Sequence, residues 1–162
     1  MCRNCITVSK KRNLKGYNTD HYGFKKSIKP LLREHHTKAL ILGTGGASKA
    51  IAYALRSLKI EYDFVSRTAD EFQFKYEELD AAIFEEYTII INTTPVGTHP
   101  NVDDCLNLDY SLFTKKHIAF DLIYNPEETA FLRMAKAKGA VTKNGYEMLV
   151  LQAEKAWKIW NE

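Results

Sequence analysis

"KALILGTGGASKAIAYALRSL" (residues 38–58) places an apolar run, a glycine-rich turn and a helical pattern in direct succession. The first six residues read as a strand buried on both faces, and the residues from Gly46 onward recur with the helical period. Between them Gly43, Gly45 and Ser48 occupy the three positions of G-x-G-x-x-G. Gly43 allows the tight turn, Gly45 lets the backbone approach a pyrophosphate, and Ser48 is small enough for helix and strand to pack closely. The helix opening near Gly46 offers free N–H groups and a positive dipole end to phosphate. A dinucleotide is the ligand such a turn would take.

Outward from this unit the same rhythm continues. "EYDFVS" (61–66), "EYTIIINT" (86–93) and "KHIAFDL" (116–122) read as strands, "FQFKY" (72–76) and "AVTK" (140–143) as short ones, and "PEETAFLRMAKAKG" (126–139) as a helix. Alternation of this kind argues for a parallel sheet covered on both faces. The expected fold is α/β, a Rossmann-type doubly wound sheet of about six strands in the order 3-2-1-4-5-6. Upstream, "CITVS" and "LKGYN" flank the polar turn "KKRN", which suggests a hairpin. Thr19 or Asp20 then caps a helix over about residues 22–34 that Pro30 limits or kinks. A final helix runs over residues 146–160, with Met148, Leu149, Ala153, Ala156, Trp157 and Trp160 at helical spacing.

Composition narrows the function classes. At 162 residues one main domain with a real core is expected, and no apolar run approaches the ~18 residues of a membrane span. The net charge of +3 comes from lysines spread along the chain, without the aromatic interleaving of a nucleic-acid surface. Cys2, Cys5 and Cys105 make an odd count behind a start with no secretory pattern, so a reduced, cytoplasmic setting is expected. Cys2 and Cys5 spell a lone C-x-x-C with no second pair or histidines at ligand spacing, and no metal is expected.

The tip of the second strand selects the dinucleotide. An acidic side chain there would bind the ribose 2′-OH of NAD. Asp63 stands at about the right distance, but Phe64 and Val65 continue the strand beyond it, which leaves Ser66, Arg67 and Thr68 at the tip. A guanidinium between two hydroxyls suits a 2′-phosphate, and so NADP. "INTTPVGTHP" (91–100) follows the fourth strand at the crevice, where its short polar side chains and Gly97 permit close approach to a ribose or nicotinamide.

Taken together, "GYNTD" (16–20), "GTGGASKA" (43–50), "SRT" (66–68), "NTTPVG" (92–97), "DLIYNPEETAFL" (121–132) and "NGYEMLVLQA" (144–153) closely resemble the shikimate dehydrogenase family over nearly the whole chain. The resemblance implies NADP-dependent interconversion of shikimate and 3-dehydroshikimate in aromatic amino-acid biosynthesis. It implies Asp20 as the catalytic aspartate and Asn4, Asp20, Tyr124 and Gln152 as substrate contacts. It implies NADP contacts at Gly43, Thr44, Gly45, Gly46, Ala47 and Ser48, at Ser66, Arg67 and Thr68, and at Thr94, Pro95, Leu122, Gly145 and Met148. Ser66 and His21 depart from the residues the family often carries. On this resemblance residues 1–20 are the edge of a substrate domain and residues 21–162 the NADP-binding domain with its linking and C-terminal helices.

Family members carry paired serines and a lysine ahead of the hairpin, and no residue here matches that lysine. An aspartate with an ordinary pKa of ~3.9 is a feeble base for an alcohol, whereas paired with an ammonium it can orient the hydroxyl and hold the proton carrier. Lys15 lies five residues from Asp20, on the opposite face of extended backbone, and is a poor substitute. The chain alone is therefore expected to be an incomplete enzyme. Its partners would be the small-molecule substrate and either a second copy or a separately encoded substrate domain, with no nucleic acid and no membrane. A noncatalytic NADP-binding module and a quinate/shikimate dehydrogenase are the alternatives, the latter disfavoured by Arg67.

Overall fold

A computed structural model describes residues 5–10 and 13–161, with side chains from Lys15 onward. Asn4 and Cys2 lie outside the described residues. Two antiparallel strands, β1 (Cys5–Lys10) and β2 (Asn13–Asn18), form the expected hairpin as a separate two-stranded sheet. Helix α1 (Asp20–Ile28) follows at once. Thr19 takes the cap position without a side-chain bond, and the acceptor is Asn18, whose Oδ1 receives the Asp20 N–H at 3.0 Å. The cap position thus falls at Thr19 as expected, while the side-chain acceptor is Asn18 and the helix starts two residues before the expected Tyr22. Pro30 ends it as expected, inside a 3₁₀ turn (Lys29–Leu31) where its missing N–H is harmless.

Six parallel strands form the main sheet: β3 (Lys38–Leu42), β4 (Glu61–Val65), β5 (Gln73–Phe74), β6 (Ile89–Asn92), β7 (Ile118–Asp121) and β8 (Val141–Lys143). Their spatial order is β5-β4-β3-β6-β7-β8, which is 3-2-1-4-5-6 counted within this sheet. The remaining helices are α2 (Gly46–Ser57), α3 (Ala81–Glu86), α4 (Ala130–Ala137) and α5 (Tyr146–Asn161). Two of these boundaries depart from the sequence pattern. The six-residue α3 claims Glu86, so the strand begins at Ile89; α4 begins at Ala130 because Thr129 Oγ1 accepts the Leu132 N–H at 3.3 Å.

One core packs Phe24 and Ile28 of α1, Ile51 and Leu55 of α2 and Met148 of α5 against Ile41, Ile91 and Phe120. The other packs Phe84 of α3 and Phe131 of α4 against Leu40, Leu42, Ile90 and Ala119. Alternate residues of each strand serve opposite cores, as a doubly covered sheet requires. Among the described residues no helix is long and apolar enough to cross a membrane.

Two buried histidines fasten the lower end of the sheet. His36 Nδ1 accepts the Arg33 N–H at 2.8 Å while its Nε2 meets the Lys116 carbonyl at 3.0 Å. His117 Nδ1 accepts the Thr114 N–H at 3.0 Å, and its Nε2 meets the Phe84 carbonyl at 2.8 Å. Each ring must be neutral with the proton on Nε2 to make both bonds. Burial lowers both pKa values below the usual imidazole range, against the raising effect of the carbonyls.

Candidate functional site

The switch in strand order between β3 and β6 opens a crevice at the carboxyl end of the sheet, the place where ligands of doubly wound folds bind. Gly43 turns the chain there with φ +100°, a left-handed conformation that a side chain would strain. A Cβ would also meet Thr94 Cγ2 at 2.8 Å. The turn is tied to its neighbours by the Gly43 N–H to the Val65 carbonyl at 2.8 Å and by Thr93 Oγ1 to the Leu42 carbonyl at 2.7 Å.

Thr44, Gly45 and Gly46 are exposed, and a Cβ built on Gly45 or Gly46 meets nothing within 4 Å. Open space above the first turn of a 12-residue helix is what an approaching pyrophosphate needs. Ala47 is half-buried. Ser48 is buried and spends its hydroxyl on the Gly45 carbonyl at 2.6 Å, fixing the turn from within.

At the tip of β4, Ser66 is buried, its N–H bonded to the Phe74 carbonyl at 2.9 Å and its Oγ receiving the Thr68 N–H at 3.2 Å. Arg67 and Thr68 are exposed there. Asp63 sits opposite Leu40 in mid-strand and accepts the Tyr87 hydroxyl at 2.5 Å. Burial first, and this bond second, push the Tyr87 phenol up to about 12. The carboxylate is therefore committed below the tip, which leaves the guanidinium as the charged group beyond it.

Thr94 and Pro95 stand on the loop after β6, half-buried and exposed respectively; Leu122 and Tyr124 follow β7, with Tyr124 half exposed. Gly145 is buried so close to Leu122 that a Cβ would overlap its carbonyl oxygen, and its N–H bonds the Ile123 carbonyl at 2.9 Å. Met148 lies in the core beneath α1. Gly23 does the same service for the helices: a Cβ there would lie 2.5 Å from the Met148 carbonyl oxygen and 3.2 Å from the Gln152 nitrogen. Asp20, one turn before Gly23, is buried, and Gln152 lies across the α1–α5 crossing from Gly23. The crossing involves α5's first turns, and α5 starts shortly after β8 finishes.

A buried polar cluster that the sequence reading passed over underlies both crevice loops. Asp121 Oδ1 accepts Asn92 Nδ2 and the Ile123 N–H, each at 3.0 Å, and Oδ2 accepts Thr129 Oγ1 at 2.7 Å. Asn92 Oδ1 accepts the Thr94 N–H at 2.9 Å and its hydroxyl at 2.7 Å. Burial pushes the Asp121 carboxyl up to about 6 against the downward pull of these three bonds. The signal in the sequence was a polar residue closing each of the apolar runs "IIIN" and "IAFD".

No family model matches the chain. Among curated proteins it is 39% identical over 165 residues to the shikimate dehydrogenase (NADP(+)) of Caldanaerobacter subterraneus, covering 91% of this chain and 58% of that protein. The solved shikimate 5-dehydrogenase of Thermus thermophilus, in complex with NADP(H) and shikimate, superposes with TM-score 0.79 at 34% identity, over 95% of this chain and 60% of that one. That of Listeria monocytogenes, in complex with shikimate and NAD, gives TM-score 0.83 at 26% identity over 96% and 62%. Over nearly its whole length the chain is similar to shikimate dehydrogenases. It spans about three fifths of the length of the members it matches.

Proposed function

We propose that this chain is the NADP(H)-carrying part of an oxidoreductase that interconverts shikimate and 3-dehydroshikimate. The observation that carries the reading is the Gly43 turn, with open space over Gly45 and Gly46 at the start of α2 and Arg67 exposed at the neighbouring strand tip. Relatives are named or solved with both NADP(H) and NAD, so the tip residues decide between them. Arg67 supplies charge-assisted bonds to a 2′-phosphate, with Ser66 and Thr68 beside it.

Bound in this crevice, NADP would supply or accept the hydride. Thr44 to Ser48 would hold the pyrophosphate, and Thr94, Pro95, Leu122 and Gly145 would line the nicotinamide end, with Met148 supporting them from the core. Asp20 orients the reacting hydroxyl from the α1–α5 junction, with Gln152, Tyr124 and Asn4 as substrate contacts. The lysine of an acid–base pair and the grip on the substrate carboxylate would come from further polypeptide, of which the β1–β2 hairpin is the adjoining edge. Residues 21–162 form the cofactor domain in this scheme.

Titration with NADPH and NADH tests the assignment. NADPH should bind more tightly, and Arg67→Ala should cost roughly tenfold to a hundredfold in NADPH affinity, the range of a charged hydrogen bond, while leaving NADH unchanged. Equal affinities for the two in the wild type would refute it. The chain alone should turn over shikimate slowly if at all, and a rate near that of full-length relatives would show that the lysine's work is done by a group within these 162 residues.

A further inference from the structure

We propose that Asp121 is a positioning residue that latches the two crevice loops, residues 93–98 and 122–126, to one another from beneath, and so sets the geometry of the cofactor site without touching the cofactor. The proposal rests on the reading that NADP(H) occupies this crevice.

The polarity of the cluster leaves little freedom. The Thr94 N–H can only donate, so the oxygen of the Asn92 amide must face it and the Asn92 NH₂ must face Asp121. The Ile123 N–H, also a pure donor, points at the same Asp121 oxygen. The second oxygen takes the Thr129 hydroxyl, whose own lone pair is used by the Leu132 N–H at the start of α4. Three hydrogens therefore converge on position 121, and a carboxylate is the side chain that accepts with both oxygens and donates with neither. An amide of the same shape would turn its NH₂ toward one of these donors.

The reach of the latch follows from what it holds. Asn92 passes the constraint to Thr94, whose Oγ1 in turn accepts the Val96 N–H at 3.2 Å. On the other side Asp121 fixes Ile123, between Leu122 and Tyr124. At their outer ends the loops meet again, where Thr98 Oγ1 donates to the Asn125 carbonyl at 3.3 Å. The second loop cannot shift without breaking its bond to Asp121, nor the first without breaking its bonds to Asn92, whose amide the same fully buried carboxylate holds.

The test uses the full chain and NADPH at a temperature where every variant is folded. Asp121→Asn and Asn92→Asp should each weaken NADPH binding roughly tenfold to a hundredfold, the range expected when a buried donor or acceptor loses its partner. The double exchange should recover part of that loss: the new carboxylate at 92 can still accept from Thr94, and the new amide at 121 can donate back across the gap, leaving the Ile123 N–H as the bond still unmatched. A purely structural defect would add in the double variant instead. Thr129→Ser should bind as wild type and Thr129→Val should not. Amide exchange of the cofactor-free chain gives a second readout: in either single variant Thr94, Val96 and Ile123 should lose protection together. Unchanged NADPH affinity in Asp121→Asn, or loss of protection confined to one loop, would overturn the latch. If the wild-type chain bound no NADPH, the cofactor reading would fall, and exchange would still decide the coupling of the loops by the same criterion.

Discussion

Gly145→Ala is the sharpest test of how the crevice is assembled. The position has no left-handed backbone to justify a glycine, so the whole effect must come from the close approach to Leu122. A methyl group would overlap the Leu122 carbonyl oxygen and lie 2.6 Å from its carbonyl carbon and 3.2 Å from its Cα, where ordinary contact begins at 3.4 Å. All three atoms are backbone, so no side chain can swing aside. The turn before α5 would have to withdraw from β7, giving up the Gly145 N–H bond to the Ile123 carbonyl. Overpacking of this kind with a lost hydrogen bond costs about 3 kcal/mol. For a chain of this size that lowers Tm by roughly 6–12 °C. Gly46→Ala is the control, because its methyl meets nothing and alanine is the better helix former by up to ~1 kcal/mol. It should hold or raise stability while weakening NADPH, whose pyrophosphate needs the space. Thermal and urea unfolding of both variants decides the matter. A Gly145→Ala chain as stable as wild type would refute the packing described here.

Other expectations follow from the buried polar groups and the last helix. His36 and His117 have folded pKa values below the 6.5 of free imidazole, so the unfolded chain binds more protons and stability is lost as pH falls through 6.5 toward the folded values. His117→Gln should therefore lose less stability than wild type between pH 7 and pH 5 in urea titrations, and an equal loss would count against the neutral-ring assignment. Asp63→Ala should cost about 1–3 kcal/mol through the stranded Tyr87 hydroxyl yet leave the NADPH-over-NADH preference intact; a changed preference would return Asp63 to the cofactor site. Tyr146, Val150, Trp157 and Trp160 leave an apolar stripe exposed on α5, with Trp157 66% and Trp160 56% accessible. Sedimentation should show concentration-dependent self-association that Trp160→Glu reduces, and a wild-type chain that stays monomeric at high concentration would remove that expectation.

The parts of the fold that were legible in the sequence are those whose causes are local. Glycines at 43 and 45 between an apolar run and a helical pattern specify a turn by themselves, and strand order then follows from crossovers of fixed hand. The tip of β4 was readable because Phe64 and Val65 continue past Asp63. What escaped has distant causes. Helix α3 is too short to show a period, and its Phe84 is recognised by Phe113 and His117 from another part of the chain. The early start of α1 depends on an asparagine side chain folding back from a strand. The Asp121 cluster joins residues 29 and 8 positions apart, and nothing in "IAFD" alone says that its aspartate will meet an amide.

The crossing of α1 and α5 at Gly23 has a consequence for the order in which the molecule is completed. Helix α1 precedes the main sheet in the chain, yet part of the surface it packs on belongs to α5, which follows the sheet. The sheet strands can begin to pair as they emerge, since β3 and its neighbour β4 are made in succession. Helix α1 can pack on α2 and the strands as they appear, but Met148 joins Phe24 and Ile28 in their core only once α5 has been made. The α1–α5 crossing is thus assembled only after every strand of the sheet has been made.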